Sequence, residues 1–221
     1  MNSSLDFSAV IFDLDGTLLY TLEEIAAATN SALARQGHPE HSVDAYRHFV
    51  GGGAKKLAWR VLPEDKQCQE EHEALFPVLI EEYGRLLNTI ARPYDGVLEM
   101  LSAYAAAGKQ LAVLSNKPDE LTKAAVKKFL PDVTFVAVQG GLSDVPLKPV
   151  PDSALEIASI MDVDPERIIF VGDSDVDMQT ANNAGMIPVG ASWGFRGAEE
   201  LTAAGARIVL DAPVDLQSLL S

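Results

Sequence analysis

The stretch Ala9-Val10-Ile11-Phe12-Asp13-Leu14-Asp15-Gly16-Thr17 decides how the rest of the chain is read. Its four apolar residues have the length of a buried strand and run directly into two carboxylates spaced i and i+2. On an extended backbone such a pair points to one side. At the carboxyl end of a buried parallel strand, that side is the crevice in which open α/β sheets bind ligands. Two like charges held there are costly unless a cation or a reaction uses them. Asp and Gly in this order are also ordinary turn residues after a strand, so the stretch alone leaves a turn and a site both open.

Apolar runs of the same kind recur at Leu111–Leu114, Val133–Val138, Ile168–Val171, Ile187–Val189 and Ile208–Leu210. Helical patterns lie between several of them. Val97–Ala107 is closed by Gly108, Asp119–Phe129 is opened by an acidic cap after Pro118, and Asp152–Met161 and Asp175–Ala184 follow, the last ended by Gly185. Strands alternating with such helices predict an α/β fold with a doubly wound parallel sheet. From about Leu18 to Ile90 the rhythm changes. Leu22–Gln36, Val43–Phe49, Gly53–Leu62 and Cys68–Leu87 read as helices without a convincing strand, and Arg92-Pro93-Tyr94-Asp95-Gly96 reads as a return linker. The expected division is a discontinuous α/β core, residues 1–17 and 92–221, with an all-α insertion over 18–91. Such a lobe can close on a ligand and exclude water, or merely pack.

At 221 residues the chain is long enough for a substantial core, and 48% hydrophobic with 22% charged residues fits a globular protein. The net charge of −15 argues against nucleic acid or an anionic membrane as partner. Small anionic substrates remain compatible if cations are concentrated locally. The single Cys68 allows no internal disulfide, and the first apolar run is too short to span a bilayer. A cytoplasmic protein, monomeric or homodimeric, is the expectation.

Three later segments repeat the strand-end chemistry. Leu111–Leu114 runs into Ser115-Asn116-Lys117, and a hydroxyl with free backbone N–H groups at a strand-to-helix turn suits an anion such as phosphate. Lys148 lies in Leu147-Lys148-Pro149-Val150-Pro151, stiffened by two prolines, though a lone lysine is ordinarily a solvated one. Ile168–Val171 runs into Gly172-Asp173-Ser174-Asp175-Val176-Asp177, where Asp175 reads as a helix cap and Asp173 and Asp177 have no such simple explanation. Hard oxygen ligands, with few histidines and one cysteine, suit Mg²⁺ rather than zinc or copper. One carboxylate can attack phosphorus, and a second can protonate the leaving alcohol and later deprotonate a water. A lysine, a hydroxyl and the metal can hold the charged oxygens.

In this order and spacing the four segments resemble the haloacid dehalogenase superfamily, in particular its phosphatases with a helical cap after the first motif. The resemblance covers essentially the whole chain. Val50-Gly51-Gly52-Gly53-Ala54-Lys55-Lys56-Leu57, Ser115-Asn116-Lys117-Pro118, Lys148-Pro149-Val150-Pro151, Val171-Gly172-Asp173-Ser174 and Trp193-Gly194-Phe195 look most like phosphoglycolate-phosphatase-like members. The resemblance implies a Rossmann-like core with a four-helix cap. It implies Asp13 as nucleophile, Asp15 as general acid/base, and Thr17 as support for their loop. Ser115, with Asn116 beside it, would bind the phosphoryl group, and Lys148 would neutralise the nucleophile and phosphoryl oxygens. Asp13, Asp173 and the backbone carbonyl of Asp15 would hold Mg²⁺, with Asp177 holding metal-bound water or orienting Lys148. Dehalogenases and phosphonate-cleaving relatives lack a carboxylate at the Asp15 position, so its presence favours phosphate esters.

The implied activity is a Mg²⁺-dependent phosphatase acting on a small phosphorylated metabolite, with 2-phosphoglycolate as first candidate. A β-phosphoglucomutase-like sugar phosphomutase and a non-catalytic phosphate-binding or regulatory protein are the alternatives. One departure stands out: many similar proteins follow the first motif with an acidic residue and a serine, whereas this chain reads Leu18-Leu19-Tyr20-Thr21. Tyr20 either shapes substrate choice or packs. In the cap, Gly51-Gly52-Gly53 permits close backbone approach, and Lys55, Lys56 or Arg60 is expected either to meet a substrate carboxylate or to form a solvated basic face.

Overall fold

A computed structural model describes residues 5–86 and 89–220. The chain opens with β1 (Ala9–Phe12), turns through a two-residue strand β2 (Leu19–Tyr20), and enters helices α1 (Leu22–Arg35), α2 (Tyr46–Phe49), α3 (Ala54–Arg60) and α4 (Gln69–Leu86). It returns through β3 (Arg92–Pro93) and α5 (Val97–Ala106) to β4 (Gln110–Pro118), α6 (Asp119–Phe129), β5 (Ala137–Gly141) and α7 (Asp152–Met161). The remainder alternates β6 (Ile168–Gly172), α8 (Asp175–Asn183), β7 (Ile187–Ala191), α9 (Ala198–Ala203) and β8 (Ile208–Leu210).

The six long-range strands form one parallel sheet in the order β5-β4-β1-β6-β7-β8. β1 is therefore central, and all four of its residues are buried. Its period-2 alternation supplies both faces. Val10 and Phe12 join Val113, Val171, Met100 and Tyr104 on one side, while Ala9 and Ile11 join Leu114, Phe170, Ile157 and Met161 on the other. The sheet is doubly wound, as the alternating pattern predicts. Phe12 stands in register with Val113 and Val171, which brings the residues after β1, within β4 and after β6 to one edge.

The helices between β2 and β3 pack around Leu22, Ile25, Leu33, Tyr46, Leu57, Val61, Leu75, Leu79 and Tyr83, joined by Phe195 from the loop after β7. The two chain crossings on either side of these helices are clasped together. β2 and β3 pair antiparallel. Buried Glu24 accepts the backbone N–H groups of Thr89, Ile90 and Ala91 through one oxygen, at 2.9, 3.2 and 3.3 Å. Tyr20 lies under the Arg92 guanidinium, 4.4 Å from ring centroid to Cζ, and edge-on to Tyr94, so it packs in this clasp.

Several expectations shift. The strand read at Val133–Val138 lies at Ala137–Gly141, because Val133 and Phe135 pack against the core from a loop instead of pairing. β4 does not stop at Leu114 but runs through Pro118 with an irregular register, so Ser115-Asn116-Lys117 lie on a strand end and not in a strand-to-helix turn. The short ribbon β2/β3 and helix α9 are missing from the sequence reading; two residues leave no period to detect. The expected end of the fourth cap helix, Leu87, and residues 1–4 and 221 of the core assignment lie outside the described residues.

Candidate active site

The cavity at the carboxyl edge of the sheet begins with Asp13, whose backbone N–H donates to the Val171 carbonyl at 2.9 Å and so prolongs the β1–β6 ladder by one residue. The chain then folds back tightly, with Gly16 N–H donating to Leu19 O at 2.8 Å. Gly16 sits at φ +89°, and a side chain there would overlap the Asp173 carboxylate. Gly172, which ends β6, has a similar role: a Cβ would overlap the Asp177 carboxylate. Glycine at these two positions lets the three acidic segments close on one another.

Lys148 lies between them. Its Nζ donates to Asp13 Oδ1 at 2.8 Å, Asp177 Oδ1 at 2.7 Å and the Leu114 carbonyl at 2.9 Å, which uses every proton of the ammonium. Asp177 is itself fixed by a capping box at the start of α8, accepting from Ser174 N–H at 3.1 Å and Ser174 Oγ–H at 2.6 Å. The cap of α8 is thus Ser174 with Asp177, and Asp175 is only an acidic residue of the first turn. Asp173 accepts the Phe195 N–H at 2.7 Å.

Burial pushes Asp13 up to about 7, with Asp177 adding to the rise and Lys148 opposing it. Burial likewise lifts Asp173 well above the ordinary carboxylate range, reinforced by Asp177 and Asp13. Burial alone would lower Lys148, but the charges of Asp13 and Asp177 outweigh it and raise the ammonium above its usual value. Asp13, Asp173 and Asp177 each place an oxygen within 4.8 Å of the others. Three buried carboxylates against one ammonium leave an excess that a divalent cation matches, and an all-oxygen donor set suits a hard one.

Asp15 lies beside this cluster and takes a different partner: Lys117 Nζ donates to its Oδ1 and Oδ2 at 3.1 and 3.3 Å. Ser115 lines the cavity and accepts the Lys117 N–H at 3.3 Å. Asn116 also lines it, but its side chain is committed elsewhere. Its Nδ2 donates to the carbonyls of Gly51 and Lys148, both at 3.0 Å, and its Oδ1 accepts the Lys148 N–H at 2.9 Å. Asn116 therefore clips the lysine loop and the cap loop together.

Four sequence-derived site residues fall outside the cavity wall. Thr17 is buried behind it; its carbonyl accepts the Trp193 indole N–H at 2.9 Å, and its hydroxyl is buried without a partner among the described residues. Lys55, Lys56 and Arg60 are exposed on α3, with Arg60 donating to the Phe49 carbonyl at 3.0 Å. Helical geometry explains this: Ala54 and Leu57 turn one face to the cavity, so the basic positions rotate to the other. The wall instead includes Ile25, Val50, Gly51, Gly53, Tyr83, Phe195, Lys117 and Arg196. Of these, Lys117 was findable, since it stands at i+2 from Ser115 on the same strand end.

A family model described as haloacid dehalogenase-like hydrolase matches residues 10–191. The chain belongs to that family. Among curated relatives of this haloacid dehalogenase-like chain, the phosphoglycolate phosphatase of Pseudomonas putida is 32% identical over 218 residues, covering 96% of this chain and 78% of the relative. That of Aquifex aeolicus is 30% identical over 211 residues, covering 96% and 95%. A crystal structure of a predicted phosphoglycolate phosphatase from Haemophilus somnus superposes with a TM-score of 0.89 at 29% identity, covering 98% of this chain and 99% of that one. No described helix is long and apolar enough to cross a membrane.

Proposed function

We propose that this chain is a Mg²⁺-dependent phosphatase that hydrolyses a small phosphorylated metabolite through an aspartyl phosphate on Asp13, with 2-phosphoglycolate as first candidate substrate. The observation that carries the reading is the split between two carboxylates of one strand end. Asp13 is buried and pinned by Lys148, whereas Asp15 faces the cavity on a separate partner. Two carboxylates in different environments suit two jobs.

Lys148 holds Asp13 by Oδ1, which leaves Oδ2 to attack phosphorus. As the Asp13–phosphorus bond forms, the ester P–O bond breaks and Asp15 supplies a proton to the departing alkoxide. Asp15, now ionised, takes a proton from water. The resulting hydroxide attacks phosphorus, frees phosphate and restores Asp13. Ser115 is placed to donate its hydroxyl to a phosphoryl oxygen, and Lys148 offsets the negative charge gathered there. Asp13, Asp173 and the Asp15 carbonyl would hold Mg²⁺, which supplies further charge stabilisation to the transferring group. Asp177 orients Lys148. The names of the relatives support phosphoglycolate as the first substrate to try.

The sugar-phosphomutase alternative gains no support from the cavity wall. Among the residues between β2 and β3 that line it, Ile25, Val50, Gly51, Gly53, Ala54, Leu57 and Tyr83, only Tyr83 carries a polar side-chain atom with which to read sugar hydroxyls. The proposal is tested by a panel of small phosphate esters assayed with Mg²⁺ and with chelator. Hydrolysis of at least one ester, lost with chelator and lost again in Asp13→Asn, is expected. Absence of hydrolysis of every ester with Mg²⁺ would overturn it.

A further inference from the structure

Resting on the phosphatase reading, a second question is what part of the substrate other than phosphate the cavity recognises. Three cationic side chains line it. Lys148 is saturated by three short hydrogen bonds. Arg196 turns towards the cap, with its Nη1 2.9 Å from His48 Nδ1 and its Nε 3.7 Å from Glu200. Lys117 is different. Its side chain is only 3% exposed, yet it meets Asp15, at 3.1 and 3.3 Å, and the face of Tyr83, 5.6 Å from the ring centroid. A buried ammonium normally has short, multiple hydrogen bonds. This one shares a single carboxylate at 3.1 and 3.3 Å and lies over the Tyr83 ring, in a cavity whose cap side also carries Ile25 and Leu57.

We propose that Lys117 is the specificity-determining residue for the leaving-group half of the substrate: it binds a carboxylate carried by the alcohol portion, taking that anion in exchange for part of its contact with Asp15. The chemistry of the cap wall restricts the rest. A short alcohol without further hydroxyls fits an apolar wall, because each unread hydroxyl buried there would lose its hydrogen bonds to water. The exchange also leaves Asp15 beside the leaving oxygen and less engaged with Lys117 at the moment it is needed. The substrate class is therefore a small phosphomonoester whose alcohol portion carries a carboxylate and no further hydroxyl.

The test compares 2-phosphoglycolate with its isosteric neutral amide, O-phosphoglycolamide, in wild type, Lys117→Met and Lys117→Arg, with Mg²⁺. Wild type is expected to favour the acid in kcat/KM by about tenfold to hundredfold, the worth of a charge-assisted hydrogen bond. Lys117→Met should collapse that ratio towards one, mainly through KM for the acid, and Lys117→Arg should restore part of it. Equal loss on both esters, with the ratio preserved, would overturn the proposal and assign Lys117 to positioning Asp15 alone. Binding of both esters to Asp13→Asn protein, with and without Lys117→Met, is measured in parallel by calorimetry. Preference for the acid that survives Lys117→Met overturns the proposal even if that variant is catalytically poor. If wild type hydrolyses neither ester, 2-phosphoglycolate fails as the substrate, the ester panel decides the phosphatase reading, and the binding comparison still decides the role of Lys117. Should Lys117→Met fail to fold, the same ratios are read from Lys117→Gln.

Discussion

At the floor of the cavity, Lys148 meets three acceptors at 2.7–2.9 Å and the side chains of Asp13, Asp173 and Asp177 are locked by charge and by glycine-permitted approach. Opposite it, the cap presents Ile25, Val50, Leu57 and Tyr83, and the direct polar links between cap and floor run through few groups. Arg47 donates to the carbonyls of Gly194 and Phe195 at 3.3 and 3.4 Å, Arg196 meets His48, and Asn116 meets Gly51. The floor is preorganised for charge, as transition-state stabilisation requires. The helices between β2 and β3 are held mainly by packing and by the clasp at their base.

The largest effect should come from unbalancing the floor. Lys148→Met leaves three carboxylates without their cation, and loss of one partner from a buried ionic cluster costs about 3–5 kcal/mol. In chelator this variant should melt well below wild type by calorimetry, with Mg²⁺ recovering part of the loss. Equal melting of the two proteins in chelator would contradict the ionic account of the floor. On the cap side, Leu57→Ala removes a buried side chain that faces both core and cavity, a change typically worth about 2–4 kcal/mol. Denaturant unfolding should report that loss, with KM raised more than kcat is lowered. A kcat loss as severe as that of Lys148→Met would erase the division of labour.

How much of this was legible follows the same boundary. The floor was readable because its chemistry sits at strand ends. Asp13, Asp15, Ser115, Asp173 and Asp177 lie at or just beyond the ends of strands that a parallel sheet brings together, and Lys148 stands out in its loop by the prolines around it. The sequence does not single out Lys117, two residues from Ser115, because the apolar run of β4 ends at Leu114 while the strand itself continues to Pro118. The cap was not readable at this level. Lys55, Lys56 and Arg60 have suitable charge, yet the phase of α3 sends them to solvent while Leu57 faces inward. That phase is set by tertiary packing, as is the entry of Phe195 into the cap core from far along the chain.

The smallest effect concerns the outer frame of the cap. Glu82 joins α4 to α1, contacting Arg85 at 2.6 Å and Arg35 at 2.7 Å. The Arg85 hydrogen bond, with help from Ser31 and Arg35, lowers its carboxyl from 4.5 to about 2. A carboxyl lowered on folding contributes stability above its unfolded value, and that contribution is lost as pH falls from about 4.5 through about 2. Glu82→Gln should therefore melt below wild type at pH 6 and converge with it near pH 2. A gap that persists at pH 2 would place its cause in packing and not in charge.

The central claim is that the phosphoryl group passes through Asp13. It is tested most directly by rapid acid quench of the protein turning over a radiolabelled phosphate ester, with the labelled site read from a parallel sample by tritiated-borohydride reduction of the acyl phosphate to homoserine and peptide mapping. The account predicts transient label on the protein, located at position 13 and absent from Asp13→Asn. Label on any other residue, or steady release of phosphate by Asp13→Asn at the wild-type rate, would contradict it.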